Sequence, residues 1–389
     1  MFGKGLSTRN SIAKGKKGAD LDAEDHQTGH KSHLKSGSAF RVDMGSLALN
    51  STANLFGGVK MDVSFADCTN VVHICDGCNS NLFKGDFEGK PVIIKRLKIE
   101  RINLPHVFGE FEFESEFLRR GVDCPHLVRI FASGVDLVSE FDLPEDVPFD
   151  PNSRLAVNGN GERKVQVPFV IIERLTGGTL SFYLAKPRSF HSRPYKLLQV
   201  FEIWKQLATA LDFLHDKFDK TNAVIHRDLK PDNICFDEAN QLRLIDFGLS
   251  ICVNKAKSID DAFEMTGCTG SLRYMSPEVA SNMAYNDRAD IYSFGIIAYE
   301  TLTGVAPFGA MDRAAFFKRV VAGKERPQLS QDDYARTIRA PKAAKDLIAA
   351  CWNHDFKCRP SAAEVKRACE ALYEEQLLKN ENSGVCRCS

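Results

Sequence analysis

The chain has 389 residues, 51 basic and 51 acidic side chains, and a hydrophobic fraction of 43%. This length and composition predict a two-lobed globular body accompanied by less ordered segments. The zero net charge argues against a nucleic-acid-binding protein, and no apolar run approaches the ~18–20 residues that span a bilayer. Twelve cysteines, mostly without paired spacing, indicate reduced thiols in an intracellular, cytoplasmic protein rather than a disulfide framework.

Residues 1–62 are predicted to form a disordered N-terminal tail, because they are rich in Gly, Ser, Lys and His and show no apolar periodicity. The first 17 residues carry five basic side chains, and no acidic residue precedes Asp20. Without an apolar core this stretch is not a secretory signal. A mitochondrial transit peptide is an alternative, but the scarcity of arginine favours a solvated tail.

Ordered structure is predicted to begin near Val63. Apolar residues then predict a strand at 75–87 and another at 92–97, with Gly85 and Gly89 as turn residues. Farther along, helical spacing of apolar residues predicts helices over 107–120 and 197–218.

Between these helices, residues 134–168 are rich in Asp, Glu, Asn and Gly and lack periodicity. They are predicted to form a loop or a frayed hairpin. Residues 169–173 read FVIIE and predict a buried strand.

Residues 224–250, VIHRDLKPDNICFDEANQLRLIDFGLS, carry the strongest functional signal. Two short strands, 234–236 and 241–245, are separated by turn residues and predict a hairpin. The hairpin brings three oxygen-bearing side chains toward one end of the sheet: Asp228, Asn233 and Asp246.

These side chains are of the types that bind a metal cation and transfer a proton. Oxygen ligands bind hard cations, so Asn233 and Asp246 predict a site for one or two such ions. Asp228 lies beside Lys230 and suits proton handling and charge neutralisation.

The sequences HRDLKPDN at 226–233 and DFG at 246–248 resemble the catalytic loop and magnesium motif of eukaryotic protein kinases. A polar turn in an unrelated α/β domain is the alternative, and eight matching positions followed at kinase spacing by the tripeptide disfavour it. The resemblance implies an α+β, two-lobed fold. A small, mainly antiparallel β lobe with one key helix would span 63–175, and a larger, mainly helical lobe 176–377, followed by a C-terminal tail at 378–389.

The resemblance also implies the ATP contacts. Lys95, in the sequence VIIK, matches the lysine that holds the α- and β-phosphates. Its glutamate partner fits Glu114 best, with Glu110 and Glu116 as rivals. In the hinge, Ile172 takes the gatekeeper position, and the backbone from Glu173 to Leu175 would contact adenine.

The glycine-rich loop departs from the family pattern. It falls on residues 75–80, where Gly77 is kept but Cys75 and Ser80 replace glycines that favour close approach to phosphate. This departure predicts weaker ATP binding. Cys75 and Cys78 also have redox spacing, although two idle thiols are the simpler interpretation.

Four further residues match by resemblance. Glu278 is expected to pair with Arg359, and Asp290 to anchor the catalytic loop. Ser271 would contact Asp228 and Lys230 through its hydroxyl.

The resemblance therefore implies an ATP-dependent protein serine/threonine kinase that uses Mg²⁺ and acts in signal transduction. Asp228, Lys230 and Lys95 would be catalytic, with Asn233 and Asp246 holding the metal. The sequence GSLRYMSPE at residues 270–278 looks closest to the tyrosine-kinase-like branch of serine/threonine kinases. Dual specificity stays open. The alternative is a pseudokinase that scaffolds partners or holds nucleotide without transferring phosphate.

The last four residues, Cys386 to Ser389, have the form of a lipid-anchor motif. Their arginine and second cysteine depart from the usual aliphatic residues, which disfavours an anchor. The physiological substrate, the activator and the oligomeric state do not follow from the sequence.

Overall fold

The computed structural model describes residues 59–120, 124–143, 156–159, 162–186, 196–255, 258, 261–309, 311–329 and 340–385. The predicted tail up to residue 58, parts of the 134–168 insertion and Cys386 lie outside the described residues. Among the helices within these ranges, none is long and apolar enough to cross a membrane.

The small lobe is built on one seven-stranded sheet. Its elements in chain order are β1 (Lys60–Ser64), β2 (Cys68–Asp76), β3 (Ser80–Phe87), β4 (Lys90–Leu97), helix α1 (Pro105–Arg120), β5 (Ile130–Ser139), β6 (Ala156–Gly159) and β7 (Glu162–Glu173). The strand order is β1-β5-β7-β4-β3-β2, with β6 paired to β7. Every pairing is antiparallel except that of β1 with β5.

Part of the predicted insertion is regular structure. Residues of β5 as far as Ser139 pair with β7 back to Lys164, and β6 pairs with β7 on the other side. Residues 164–167 alternate polar and apolar side chains, a strand signal that the expected loop did not use, and the long-range pairings stabilise the strands.

Gly85 is not a turn residue, contrary to the sequence-based expectation. It lies in the middle of β3 opposite Val92, and a Cβ there would meet the Thr69 carbonyl oxygen at 3.0 Å. The turn is formed by Glu88 and Gly89, with φ of 50° and 74°. Close approach of the β2 backbone, rather than a turn, explains the glycine at 85.

The large lobe is mainly helical. Its elements are α2 (Leu180–Ala185), α3 (Leu197–Asp212, continued by a π-helical turn over Phe213–Lys217), β8 (Asn222–Ile225), β9 (Ile234–Phe236), β10 (Leu242–Leu244), β11 (Ile251–Asn254), α4 (Pro277–Ala280), α5 (Arg288–Thr303), α6 (Arg313–Phe316, followed by a π-helical turn over Phe317–Ala322), α7 (Lys342–Cys351) and α8 (Ala362–Val385). β9 pairs with β10, and β8 with β11, both antiparallel. The predicted fold class is confirmed.

Helix α5 forms the centre of the large lobe, since every residue from Ala289 to Thr303 is buried. Trp204 of α3 packs beside it and donates a hydrogen bond to Thr301 at 2.8 Å. The predicted pair of Glu278 and Arg359 is confirmed, with two contacts of 2.6 and 2.8 Å and almost no exposure. It fixes the segment before α8 to α4.

Both ends of the ordered body differ from the predicted limits. β1 begins at Lys60, because it finds a partner in β5. α8 continues to Val385 rather than ending near 377. Its last turns include an i,i+4 ion pair between Glu375 and Lys379, which favours an exposed polar helix.

Candidate active site

Lys95 lies where the two lobes meet. Side chains alternate between the two faces of a strand. Because Ile94 packs in the apolar cluster on one face of the sheet, Lys95 lies on the other face. Its ammonium contacts both oxygens of Glu114, at 2.8 and 2.7 Å, and Oδ1 of Asp246 at 3.0 Å. One cation thus joins a carboxylate of the small lobe to one of the large lobe.

The charges in this cluster sustain one another. Burial by itself would lower the pKa of Lys95, but the carboxylates of Asp246 and Glu114 outweigh burial and raise it. The Lys95 ammonium in turn lowers the pKa of Asp246 to about 2. Both groups are therefore charged at neutral pH.

Of the three candidate glutamates on α1, Glu114 is the one that contacts Lys95. It is buried among Phe111, Phe113 and Phe117 on the inward face of the helix. Glu116 instead forms ion pairs with Arg119 and Arg120 on its own helix. Glu114 also accepts a hydrogen bond from the Phe247 amide at 3.1 Å, so it contacts the DFG segment directly.

A cluster of tilted aromatic rings continues this connection. The Phe247 ring is fully buried, with its centroid 4.6 Å from Phe117 and 5.0 Å from His226. Through Phe247, the packing of α1 depends on the loop that carries Asp228.

Asp228 is held by several donors. Its Oδ2 accepts from Lys230 Nζ at 2.6 Å and from Asn233 Nδ2 at 3.2 Å. Its Oδ1 accepts from the Ser271 amide at 2.8 Å. The expected contact with Ser271 is thus made by its backbone amide rather than its hydroxyl. It brings the end of residues 246–278, here called the activation segment, against Asp228.

Asp290, at the start of α5, positions the catalytic loop. Its two oxygens accept from the amides of His226 and Arg227 at 2.8 and 3.0 Å, and one also contacts His215 Nε2 at 2.9 Å. Burial would raise the pKa of Asp290, but the hydrogen bonds and charge of its neighbours outweigh burial and lower it. The buried carboxylate therefore stays ionised and holds the loop, as predicted.

Asn233 and Asp246 fit a cation. Asn233 uses its Nδ2 on the Asp228 carbonyl at 2.8 Å, which leaves its Oδ1 as an oxygen ligand. Asp246 is about half exposed toward the cleft and adopts φ of 65°, a conformation sparsely used by aspartate. The described residues contain no cluster of three His, Cys, Asp or Glu side chains suited to a metal. A Mg²⁺ ion here would complete its shell with phosphate and water oxygens, as Mg²⁺ commonly does.

The predicted glycine-rich loop is the tight turn between β2 and β3. The Gly77 amide donates to the Ser80 carbonyl at 2.8 Å, and a Cβ on Gly77 would lie 3.0 Å from that oxygen. Ser80 is buried opposite Leu97, whereas Cys75 is exposed opposite Leu82. The loop is therefore a closed hairpin in which one glycine suffices for the turn.

The hinge follows β7. The Glu173 carboxylate accepts from the Arg129 amide at 2.8 Å and lies 3.6 Å from Arg243 Nε. Its side chain is thus engaged by Arg129 and Arg243, and its backbone amide donates to the Arg129 carbonyl at 2.9 Å. Leu175 packs against the main hydrophobic core. Adenine contacts by these two residues remain predictions.

The sequence reasoning missed Gly270. Its φ is 92°, and a Cβ would lie 2.4 Å from the Arg227 carbonyl and 3.1 Å from Asp228 Oδ1. Only glycine lets the activation segment pass so close to the catalytic loop. Its place directly before Ser271 was the available signal.

Comparisons with known proteins identify the family. The protein kinase domain model matches residues 158–369, just over half of the chain. The chain is 30% identical to "Serine/threonine-protein kinase VIK" of Arabidopsis thaliana, over 79% of this chain and 60% of that protein. It is 27% identical to "Serine/threonine-protein kinase STY46" of the same plant, over 78% and 44%. It is 26% identical to "Dual specificity protein kinase pyk3" of Dictyostelium discoideum, over 80% and 19%.

The chain spans less than two thirds of the length of these relatives. The family model and the relatives agree on one domain, whose motifs lie at the contacts described above. The chain belongs to the protein kinase family.

Proposed function

We propose that the chain is an ATP-dependent protein kinase that transfers the γ-phosphate to serine and threonine hydroxyls of protein substrates, in signal transduction. The observation that carries the proposal is the placement of Lys95, Glu114 and Asp246 in one contact cluster. Kinases need a paired lysine and an ionised DFG aspartate together at the moment of transfer.

Lys95 is the group suited to bind phosphate. Its charge is sustained by two carboxylates, and Glu114 orients it from α1. Protein kinases use ATP and typically Mg²⁺, which neutralises charge on the phosphates when bound. Asn233 and Asp246 would hold that ion through their side-chain oxygens.

Asp228 is the group suited to the acceptor hydroxyl. Its carboxylate is positioned by Lys230, Asn233 and the Ser271 amide. It would orient the hydroxyl and accept its proton as the phosphate bond forms. Lys230, 2.6 Å away, would stabilise negative charge that builds on the transferred group.

The pseudokinase alternative has no support among the described residues. A cleft that only bound partners would not need a buried, charged Lys95 beside an ionised Asp246, since placing charges in a cleft is costly. The altered glycine-rich loop bears on the strength of ATP binding rather than on transfer.

The test is phosphate transfer to a generic acceptor protein by Lys95→Met and Asp246→Asn in the full chain. Both should keep the native fold and lose more than 95% of turnover with Mg²⁺. Lys84→Met, an exposed lysine on β3, is the matched control and should keep full activity. A folded Asp246→Asn protein with substantial turnover would refute the metal assignment.

A further inference from the structure

The N-terminal segment 60–67, here called the strap, is an addition at the edge of the small-lobe sheet. Its strand β1 pairs in parallel with β5, with Lys60 opposite Ala132 and Val63 opposite Gly134. The residues Phe65–Asp67 then lead to β2, which lies at the other end of the strand order. The strap therefore connects the two ends of the sheet.

Phe65 fixes the strap to the sheet face opposite Lys95. Its ring meets Phe169 at 5.3 Å and Phe83 at 5.9 Å, both edge to face. The Arg96 guanidinium lies 5.2 Å from the Phe65 ring and pairs with Asp136 of β5 at 2.5 Å. Aromatic and cation–π contacts of this kind stabilise packing, so the strap is a packed part of the lobe.

Gly134 provides the clearance for β1. A Cβ at this position would lie 1.9 Å from the Val63 carbonyl oxygen and 2.9 Å from its carbon. The φ of Gly134 is not in the left-handed region, so its own backbone conformation admits alanine. The glycine is required by the passage of the strap.

The strap also contacts α1. Arg119, in the last turn of the helix, donates to Met61 Sδ at 2.9 Å, and Ser133 Oγ donates to the same sulfur at 3.6 Å. Glu114 lies five residues before Arg119 on this helix. A rigid helix transmits displacement of its end to the carboxylate that pairs with Lys95.

From these contacts we infer that the strap is a positioning element for the active site. Seated on β5, it holds the end of α1 through Met61 and Arg119 and so keeps Glu114 on Lys95. Release of the strap loosens α1 and lowers turnover, without a change in any group that touches ATP or substrate. This inference rests on the proposed role of the Lys95–Glu114 pair.

The experiment compares full-chain variants by amide hydrogen exchange and steady-state kinetics with ATP. Gly134→Ala should raise exchange at least tenfold in residues 60–67 and in α1, and should lower kcat at least fivefold. Lys60→Ala, whose exposed side chain pairs with Glu88, is the control in the same strand and should stay within twofold of wild type in both measurements.

A second variant, Arg119→Leu, tests the proposal even if the Gly134→Ala protein does not fold. Arg119→Leu should loosen α1 and lower kcat at least threefold while the strap stays protected, and Arg119→Lys should restore most of kcat. Because Arg119 also pairs with Glu116, Glu116→Gln is the control for loss of that contact. Its kcat should remain near that of the wild type.

The proposal is wrong if Gly134→Ala leaves exchange in 60–67 unchanged, or if the strap is released while kcat stays within twofold of wild type. It is equally wrong if Arg119→Leu and Glu116→Gln have the same kcat. Lys95→Met, measured beside them, separates the two claims: an active Lys95→Met protein refutes the role of the pair, whatever the strap does.

Discussion

Arg227 donates a hydrogen bond from its Nη1 to the hydroxyl of Thr266 at 2.9 Å, joining the residue before the catalytic aspartate to the activation segment. The guanidinium also donates to the Leu249 carbonyl at 2.6 Å and to the Tyr285 hydroxyl at 3.3 Å. Thr269 instead donates to Thr266, at its carbonyl and its hydroxyl. Thr266 is exposed, so its hydroxyl is open to modification while it faces a cation.

We therefore predict that phosphate on Thr266 activates the enzyme. A phosphate there would add about −1.5 to −2 charges beside Arg227 and order the segment that ends at Ser271. Thr266→Ala should lower the turnover of the phosphorylated enzyme at least tenfold, and Thr269→Ala less than threefold. Mass mapping of active protein followed by assay of both variants is the measurement; full activity of the double variant would end the idea.

The Glu278–Arg359 pair predicts a large stability effect. Arg359→Ala leaves a buried carboxylate without its partner, which typically costs about 3–5 kcal/mol in the free energy of unfolding. Chemical denaturation should show this loss, whereas Lys379→Ala, in an exposed pair with Glu375, should change stability little. Equal midpoints for the two variants would mean that the buried pair is replaceable.

Stability should also fall at mildly acidic pH because of His226. This side chain has no exposure, and burial lowers its pKa below the ordinary value of 6.5. As the pH drops below about 6.5, His226 becomes protonated in the unfolded chain but stays neutral in the folded chain. The free energy of unfolding therefore decreases. The melting temperature should fall between pH 7.5 and 5.5, and by less in His226→Phe. An equal fall in both proteins would assign the effect elsewhere.

The glycine-rich loop yields a prediction about ATP affinity. Cys75→Gly with Ser80→Gly removes side chains where the family pattern has glycine, which should lower the KM for ATP several-fold. Cys78→Gly changes a position where that pattern has no glycine and is the matched control. A KM that is unchanged or higher in the double variant would show that the hairpin closed by Gly77 and Ser80 has its own phosphate-binding geometry.

The sequence predicts the parts of the site that local spacing determines. Asp228, Lys230 and Asn233 lie within one short loop, so the motif itself brings them together. The match of residues 111–118 to the family pattern favoured Glu114, and the structure buries Glu114 against Lys95, whereas Glu116 pairs with arginines of its own helix. Gly85 shows the limit of local propensity, since pairing with β4 and the approach of β2 overrule its preference for turns.

The remaining features depend on partners far away in the chain. β1 exists because β5 accepts it, and Gly134 is needed only because Val63 passes over it. Gly270 and Tyr285 likewise acquire their roles by contact with Arg227. A single sequence carries no direct signal for the pairing of β1 with β5 or of Tyr285 with Arg227, because none of these residues is unusual in its own neighbourhood.

Transfer of radiolabelled phosphate from ATP to a generic acceptor protein, with wild type beside Asp228→Asn, tests the central claim most directly. Asparagine preserves the size of the side chain, so the fold should be unchanged, but it cannot take the proton of the acceptor hydroxyl. We predict that the wild type labels serine and threonine residues and that Asp228→Asn loses at least 99% of this activity with an unchanged melting temperature. Equal labelling by the two proteins would contradict the role of Asp228, and no labelling by a folded wild type that carries phosphate on Thr266 and is supplied with Mg²⁺ would contradict the assignment of this protein as an active kinase.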